Sequence, residues 1–448
     1  MLKYKGKGGI EMIKASIYTL GCRVNQYESD AIMQELKESG VLIVSPSEEC
    51  DICIINTCSV TGESDRKSKQ IIRRMVNKNP NAVIVVTGCY SQINTKQAME
   101  ISGVDLVCGN NDKSQIAKKA LDLYKSRASE CQLIMSDIFD SRYDVMRVGA
   151  PLTRTRAFIK IQDGCNSKCA YCIIPYARGS VRSNSMENVL SEARNVVFEG
   201  CKEIVFTGIE TAAYGKDTKD KHSLGDLLVE ANKIEGLERI RLGSLDPSAI
   251  TKDFVDKIKG LSKVMPHFHI SMQSGCSKTL RDMKRKYNID MARKNLRYLK
   301  ESLPNVMLSA DVITGFPGET DEDFKATLDF FNEENFLHLH IFPYSKRANT
   351  PAAAMPNQVP EETKKQRLHL LADAQKEIKR RLIDSYISAS PVSTVLFESY
   401  DGEYALGHTP NFIEVKVKSP VALGGELLDV SLTHTDGEFA YGVLCAHV

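Results

Sequence analysis

Three cysteines in the run Gly164-Cys165-Asn166-Ser167-Lys168-Cys169-Ala170-Tyr171-Cys172 constrain this chain more than any other feature. Thiolates at this C-x3-C-x2-C spacing can wrap one corner of a cubane iron–sulfur cluster and ligate three of its irons, and no fourth cysteine follows to close the site. An iron left open in this way is reactive. Structural zinc is the bland alternative. Its cysteines usually come as two C-x2-C pairs, or one pair with two histidines, and neither follows here. Inert core thiols fit less well still, because clustered thiols in a reducing compartment are usually metal sites.

At 448 residues the chain is too long for one ordinary core, so two or three domains are expected. Lys+Arg of 59 against Asp+Glu of 57 leaves only +2, so any basic surface for a nucleic acid must be local. The 13 cysteines are odd in number, and neither a signal-like apolar segment nor a stretch of 18 apolar residues occurs. The expectation is a soluble cytoplasmic protein with no membrane partner. Residues 1–11 are basic and Gly-containing and read as disordered or as an alternative start.

Three segments follow one another, at 12–135, 150–384 and 385–448. In the first, apolar runs of strand length end at Gly21-Cys22, Thr57-Cys58 and Gly88-Cys89, each followed by a helical pattern. A parallel α/β sheet is predicted. Ligands of such sheets sit beyond the carboxyl ends of the strands, where all three cysteines fall. They are either a second three-cysteine site or small buried hydrophobes. Cys50 and Cys53 lie in one strand-like run and are expected on opposite faces, as core residues, like Cys131, Cys201, Cys276 and Cys445; Cys108 ends a further strand. In the second segment six strand signals alternate with helices, which predicts a partial (β/α)6 TIM-like barrel with its active site at the loops after the strands. The third, with short strands punctuated by Gly, Pro and Asp, predicts a small antiparallel β-barrel. Eight carboxylates against two lysines make that barrel acidic.

The wording Thr19-Leu20-Gly21-Cys22-Arg23-Val24-Asn25-Gln26-Tyr27-Glu28-Ser29, with Asn56-Thr57-Cys58, Thr87-Gly88-Cys89 and the triplet at Cys165, resembles the radical S-adenosylmethionine (radical SAM) methylthiotransferases. Ile174-Pro175-Tyr176-Ala177-Arg178-Gly179, Met272-Gln273-Ser274-Gly275, Met283-Lys284-Arg285-Lys286-Tyr287 and Gly315-Phe316-Pro317-Gly318-Glu319-Thr320 extend the resemblance over nearly the whole chain. It implies a methylthiotransferase domain, a radical SAM barrel and a C-terminal TRAM domain. The residues after Leu20 look like the branch that acts on N6-threonylcarbamoyladenosine beside the tRNA anticodon, giving the 2-methylthio derivative. Two departures stand out: Glu210, with Ala212 and Ala213, replaces an expected His or polar residue and glycines, and Asn349 replaces an expected glycine.

The resemblance implies two [4Fe-4S] clusters, one on Cys165, Cys169 and Cys172 that generates a radical from S-adenosylmethionine, and an auxiliary one on Cys22, Cys58 and Cys89. C2 of adenine is an aromatic C–H that no side-chain base can usefully deprotonate, so a radical cofactor must carry the hard step. Two molecules of the cofactor per product follow, as does a low-potential electron donor. Tyr171 is expected near the cofactor's adenine; Gly208, Gln273 and Gly315 end strands on the same rim and are further cofactor-binding candidates. Asp163, Arg178 and Arg182 are candidates to meet substrate. Arg66-Lys67-Ser68-Lys69, Arg73-Arg74, Lys78 and Lys284-Arg285-Lys286 are either an RNA-binding face or solvated helix surfaces. Rival readings are methylthiolation of a ribosomal protein side chain, which an acidic C-terminal barrel would suit, of isopentenyladenosine in tRNA, or an inactive iron–sulfur RNA-binding module, for which the Glu210 loop is the sole support.

Overall fold

The computed structural model describes residues 2–5, 9–126, 130–140, 142–149 and 155–445. Six parallel strands form the first sheet in the order Leu42–Ile43, Lys14–Thr19, Ile52–Thr57, Val83–Gly88, Leu106–Cys108 and Gln132–Ile134. Ile52–Thr57 and Val83–Gly88 are buried along their whole length, the pattern of central strands covered on both faces. Each fully buried Ile or Val there contributes about 1.5–3 kcal/mol. In the amino-terminal stretch, expected to be disordered or an alternative start, Leu2–Lys5 pairs antiparallel with Gly9–Met12.

The second domain is an open arc of six parallel strands in sequence order: Arg156–Lys160, Glu203–Thr207, Arg239–Leu242, His267–Gln273, Met307–Thr314 and His338–Pro343. Single bridges of Ile240 to Val264 and Leu245 to Ile270 join its two three-stranded halves. Alternate residues such as Ile204, Phe206, Ile240, Phe268, Ile270 and Leu308 are buried in the main core. The intervening residues, on the concave face, are polar: Glu203, Arg239, Arg241, His267, His269, Ser309 and Asp311. Glu203 forms ion pairs with Arg241 at 3.0 Å and Arg156 at 3.4 Å.

Strands Val392–Tyr400, Tyr404–His408, Glu414–Lys418, Ala440–Leu444 and Leu427–Thr435 close the C-terminal barrel in that order. The expectation of a purely antiparallel barrel needs one correction, since Glu414–Lys418 and Ala440–Leu444 run parallel where closure brings them together. This barrel covers the amino ends of the six strands. Arg239 donates to the His408 and Thr394 carbonyls, and Arg241 to those of Thr409 and Pro410. Phe412 stacks on His267 and His408, with ring centroids 4.6 and 4.3 Å apart. Three of the barrel's carboxylates face the body of the protein, Glu398 to Arg156, Glu414 to Lys379 and Glu426 to Lys202. Part of the acidity therefore serves docking. No helix among the described residues is long and apolar enough to cross a membrane.

Candidate active site between two sheet edges

Each cysteine of the amino-terminal set sits where a strand hands over to a helix. Cys22 is the N-cap of the helix Arg23–Glu38, Cys58 follows the strand Ile52–Thr57, and Cys89 opens the helix Cys89–Ile93. Gly88 makes the last turn possible: its φ is +100°, and a Cβ there would lie 2.3 Å from the Thr57 carbonyl oxygen. The space beside Gly21 is bounded by the Cys58 sulfur, since a Cβ built on Gly21 would lie 3.2 Å from it. Cys22 is open to the cleft yet ringed by protein, and burial raises its thiol above the usual range, opposed by Arg178 and reinforced by Cys89. Cys58 is pushed up to about 11 by burial and then by Cys89 and Cys22. The three thiols are thus electrostatic neighbours.

The second triplet occupies the loop after the first barrel strand. Gly164 precedes it at φ +71°, and a Cβ there would overlap the Ser180 carbonyl at 1.9 Å. Burial and then the Glu210 carboxylate push Cys165 up to about 12, and burial pushes Cys172 up to about 11. Thiols held this high carry their protons at neutral pH, and a cation at the site is what would make thiolates of them. No three His, Cys, Asp or Glu side chains among the described residues are gathered closely enough to grip one ion.

The two sets face each other across a polar seam. Asn25 Nδ2 donates to the carbonyls of Leu20 and Thr57, while its Oδ1 accepts from Arg178 at 2.5 Å. Asn110 donates to the Ala177 carbonyl at 2.7 Å and lies 3.8 Å from the Cys89 sulfur. Glu28, fully buried, accepts from Lys113, from Lys160 at 3.2 Å and from Arg178 at 2.5 Å. Burial alone would raise the Glu28 carboxyl; Arg178, Lys113 and Lys160 hold it well below its usual range instead. Asp163 joins at 3.1 Å from Arg178 and 3.3 Å from Lys160. A further clamp runs from Arg347 to Asp65 at 2.7 Å and to Ser59 at 3.0 Å.

The network places Asp163, Arg178 and Arg182, the sequence candidates for substrate contact, within the seam between the two cysteine sets. All three are buried and contact one another, Arg178 and Asp163 join the Glu28 network, and Arg182 donates to the Ile138 and Ser180 carbonyls and Asn111, while the Nε atoms of Arg178 and Arg182 have no partner. Arg285, read with Lys284 and Lys286 as a basic patch, turns inward: Nη1 lies 3.4 Å from the Cys169 sulfur and Nη2 donates to Asp246 at 2.7 Å. Tyr171 is half-buried and packs against the cluster Ala170, Met283, Phe316, Tyr344 and Ala352. Gln273 ends its strand at φ +66°, a rare conformation for a non-glycine residue. Gly208 lies against Gln162, and the Gly315 N–H donates to Glu319 at 2.7 Å.

Both sequence departures have structural accounts. Glu210 accepts from the Cys165 thiol at 3.1 Å and from Ser167 at 3.3 Å, and the alanines after it form the short 3-10 turn Thr211–Ala213. Asn349 adopts φ +66°, a left-handed position that Asn tolerates in place of Gly. Cys50 and Cys53 depart from expectation in another way. Cys50 precedes the strand, so alternation does not apply; its thiol lies 3.1 Å from Ser16 Oγ and donates to Asn79 Oδ1 at 3.7 Å, and the neighbouring Cys53 lowers it to about 7. Cys108 is buried, and its thiol meets the Asp112 carbonyl at 3.4 Å.

Comparison with known proteins decides the family. The threonylcarbamoyladenosine tRNA methylthiotransferase MtaB of Bacillus subtilis is 38% identical over 439 residues, 96% of each chain. The chain belongs to the radical SAM methylthiotransferases. The radical SAM superfamily pattern matches residues 159–331, and that of uncharacterized protein family UPF0004 matches 14–109. A tRNA-2-methylthio-N(6)-dimethylallyladenosine synthase of Acetivibrio thermocellus is 33% identical over 92% of this chain and 87% of its own. The radical SAM methyltransferase TsrM of Kitasatospora setae, solved with cobalamin and a [4Fe-4S] cluster, shares the fold at TM-score 0.56 and 13% identity over 77% of this chain and 74% of its own. As a family member this methylthiotransferase uses a [4Fe-4S] cluster and S-adenosylmethionine. Its residues fit such a group: the Asn110 Oδ1 and Arg285 Nε atoms, each on a side chain beside one cysteine set, are buried without a hydrogen-bond partner.

Proposed function

We propose that this enzyme adds a methylthio group to C2 of N6-threonylcarbamoyladenosine beside the anticodon of tRNA. The observation that carries the reading is the pairing of two cysteine triplets on facing sheet edges in a chain whose MtaB relatives are 35–38% identical. The dimethylallyladenosine synthases are 33–34% identical. In this reading Cys165, Cys169 and Cys172 hold the radical SAM cluster, and Cys22, Cys58 and Cys89 hold a second, auxiliary [4Fe-4S] cluster that carries the sulfur to be transferred. With S-adenosylmethionine bound, the first supplies a carbon radical able to take hydrogen from an aromatic C–H.

The chain's own residues position and enclose. Arg285 directs a positive charge at Cys169 and fixes it with Asp246. Tyr171, packed on the buried Phe316 and Tyr344, offers the adenine of the cofactor an apolar surface, and Gln273 and Gly315 end strands at the same rim. The Glu28–Arg178 network sets the distance between the triplets, so that a base can be held in reach of both. Incubating loaded protein with S-adenosylmethionine, a low-potential reductant and anticodon stem-loop RNA carrying threonylcarbamoyladenosine should give the methylthio nucleoside by mass spectrometry; unchanged nucleoside would refute the reading.

The tRNA backbone is expected to meet the helix Gly62–Lys78, where Arg66, Lys67, Arg73 and Arg74 are exposed. A groove of about 530 Å³ there is lined by Lys69, Arg73 and Tyr90, among others. Arg66 already pairs with Glu63 at 2.5 Å, an exposed contact of little worth that a phosphate can replace. Changing Arg66, Lys67, Arg73 and Arg74 to Glu should weaken tRNA binding by at least about 10-fold at low salt and flatten its salt dependence, through lost counterion release. Binding curves superimposable on wild type would remove this helix from the interface.

A further inference from the structure

Arg23 has no ordinary structural reason for its position. It follows Cys22 as the first residue of the helix Arg23–Glu38 and is open to the cleft. Its guanidinium lies 6.0 Å from the Phe158 ring centroid, on the first barrel strand. It also lies within electrostatic range of Arg241, Asp311 and Glu203, which belong to other strands, so it projects from the amino-terminal domain over the concave face of the barrel. No carboxylate among the described residues forms an ion pair with it. Asp311 is engaged by His269 at 3.1 Å, and Glu203 by Arg156 and Arg241. Four guanidiniums, of Arg23, Arg156, Arg239 and Arg241, share this space with the carboxylates of Glu203 and Asp311, Glu398 reaching Arg156 from the C-terminal barrel. A guanidinium open to the cleft and without an ion-paired carboxylate is available to an anionic ligand there.

We infer that Arg23 is a specificity residue that binds the carboxylate of the threonylcarbamoyl group on the substrate adenine. The inference rests on the proposed substrate. N6 and C2 lie on the same edge of adenine, so a base presenting C2 to the Cys22, Cys58 and Cys89 site presents its N6 substituent to the residues around Cys22. The threonyl carboxylate is an anion at neutral pH, whereas a dimethylallyl group is a hydrocarbon that would leave Arg23 without a partner. Planar guanidinium and carboxylate can pair through two parallel hydrogen bonds, which adds orientation to affinity.

The test measures binding of loaded protein to three anticodon stem-loops, carrying unmodified adenosine, threonylcarbamoyladenosine, or its threonyl carboxamide. Wild type should prefer the carboxylate form over both others by about 10- to 100-fold, the range of a charge-assisted pair in an enclosed site. Arg23→Gln should erase the preference while binding the unmodified loop as wild type does, and Arg23→Lys should restore part of it. A preference that survives Arg23→Gln overturns the inference, as does an equal loss on all three loops, which would make Arg23 a phosphate contact. Equal wild-type binding of acid and carboxamide overturns it without recourse to a variant. If wild type methylthiolates the threonylcarbamoyl loop and the carboxylate preference is absent, only the role of Arg23 falls; if it does not methylthiolate that loop, the substrate assignment falls with it.

Discussion

Replacing Cys165, Cys169 and Cys172 together by Ala should abolish reductive cleavage of S-adenosylmethionine and halve the iron of anaerobically reconstituted protein, from about eight to about four per chain. Replacing Cys22, Cys58 and Cys89 should also halve the iron, yet cleavage should persist while methylthiolated product disappears. The asymmetry follows from the proposed division of labour, in which radical generation needs only the barrel triplet. Iron analysis and quantitation of 5′-deoxyadenosine read both outcomes on the same samples. A barrel-triplet variant that keeps about eight irons, or product formation by the amino-terminal variant, would overturn the ligand assignment. Neither substitution should unfold the chain, because each set lies in loops and helix starts at the ends of otherwise complete strands.

Glu28→Gln should be among the most destabilising single substitutions on the chain, although Glu28 touches no cofactor. Its carboxylate is shared by Lys113, Lys160 and Arg178, all buried; among the described residues Asp163 would remain paired with Lys160 and Arg178, and Lys113 would lose its ion pair. Breaking a buried ion network by removing one partner costs about 3–5 kcal/mol, a large fraction of the roughly 5–15 kcal/mol that holds a domain folded. The denaturant midpoint of cluster-free protein should fall accordingly, and adding Lys113→Met should recover part of the loss because the excess charge is reduced. Acid should act in the same direction. The Glu28 carboxyl is held below its usual 4.5, so its contribution is fully present above that pH and is lost as pH falls through its depressed folded value. A loss below about 1 kcal/mol for Glu28→Gln would mean that the seam is solvated and carries little of the interdomain contact.

Strand ends were legible in the sequence, and so was what stands on them. Runs such as Ile52–Thr57 and Val83–Gly88 are apolar for their first four residues and close on Asn-Thr or Thr-Gly followed by Cys, so the edge where Cys22, Cys58 and Cys89 fall could be read without coordinates. The polar concave face was not legible, because Glu203, Arg239, Arg241 and His269 look like the solvated face of alternating strands until the arc curls them together. The partners of Arg178 and Arg182 are not legible, because proximity in sequence to Cys172 says nothing of direction. Arg178 instead spans to Glu28, 150 positions away. Arg285 was taken with its lysine neighbours as surface charge, and the signal that could have set it apart is the apolar pair flanking the motif, Met283 and Tyr287, both buried. Cys50 fails for a local reason: the strand begins at Ile52, two residues later than the apolar run suggests.

The most direct measurement is the nucleoside composition of tRNA from cells lacking this gene, compared with the same cells carrying it again in wild-type form or with Cys22, Cys58 and Cys89 changed to Ala. The account predicts that 2-methylthio-N6-threonylcarbamoyladenosine is absent from the deletion strain, with N6-threonylcarbamoyladenosine accumulating in its place. Wild type should restore the methylthio nucleoside and the cysteine variant should not. Undiminished 2-methylthio-N6-threonylcarbamoyladenosine in the deletion strain, with loss of the methylthio form of the isopentenyl nucleoside or of a ribosomal protein instead, would contradict it.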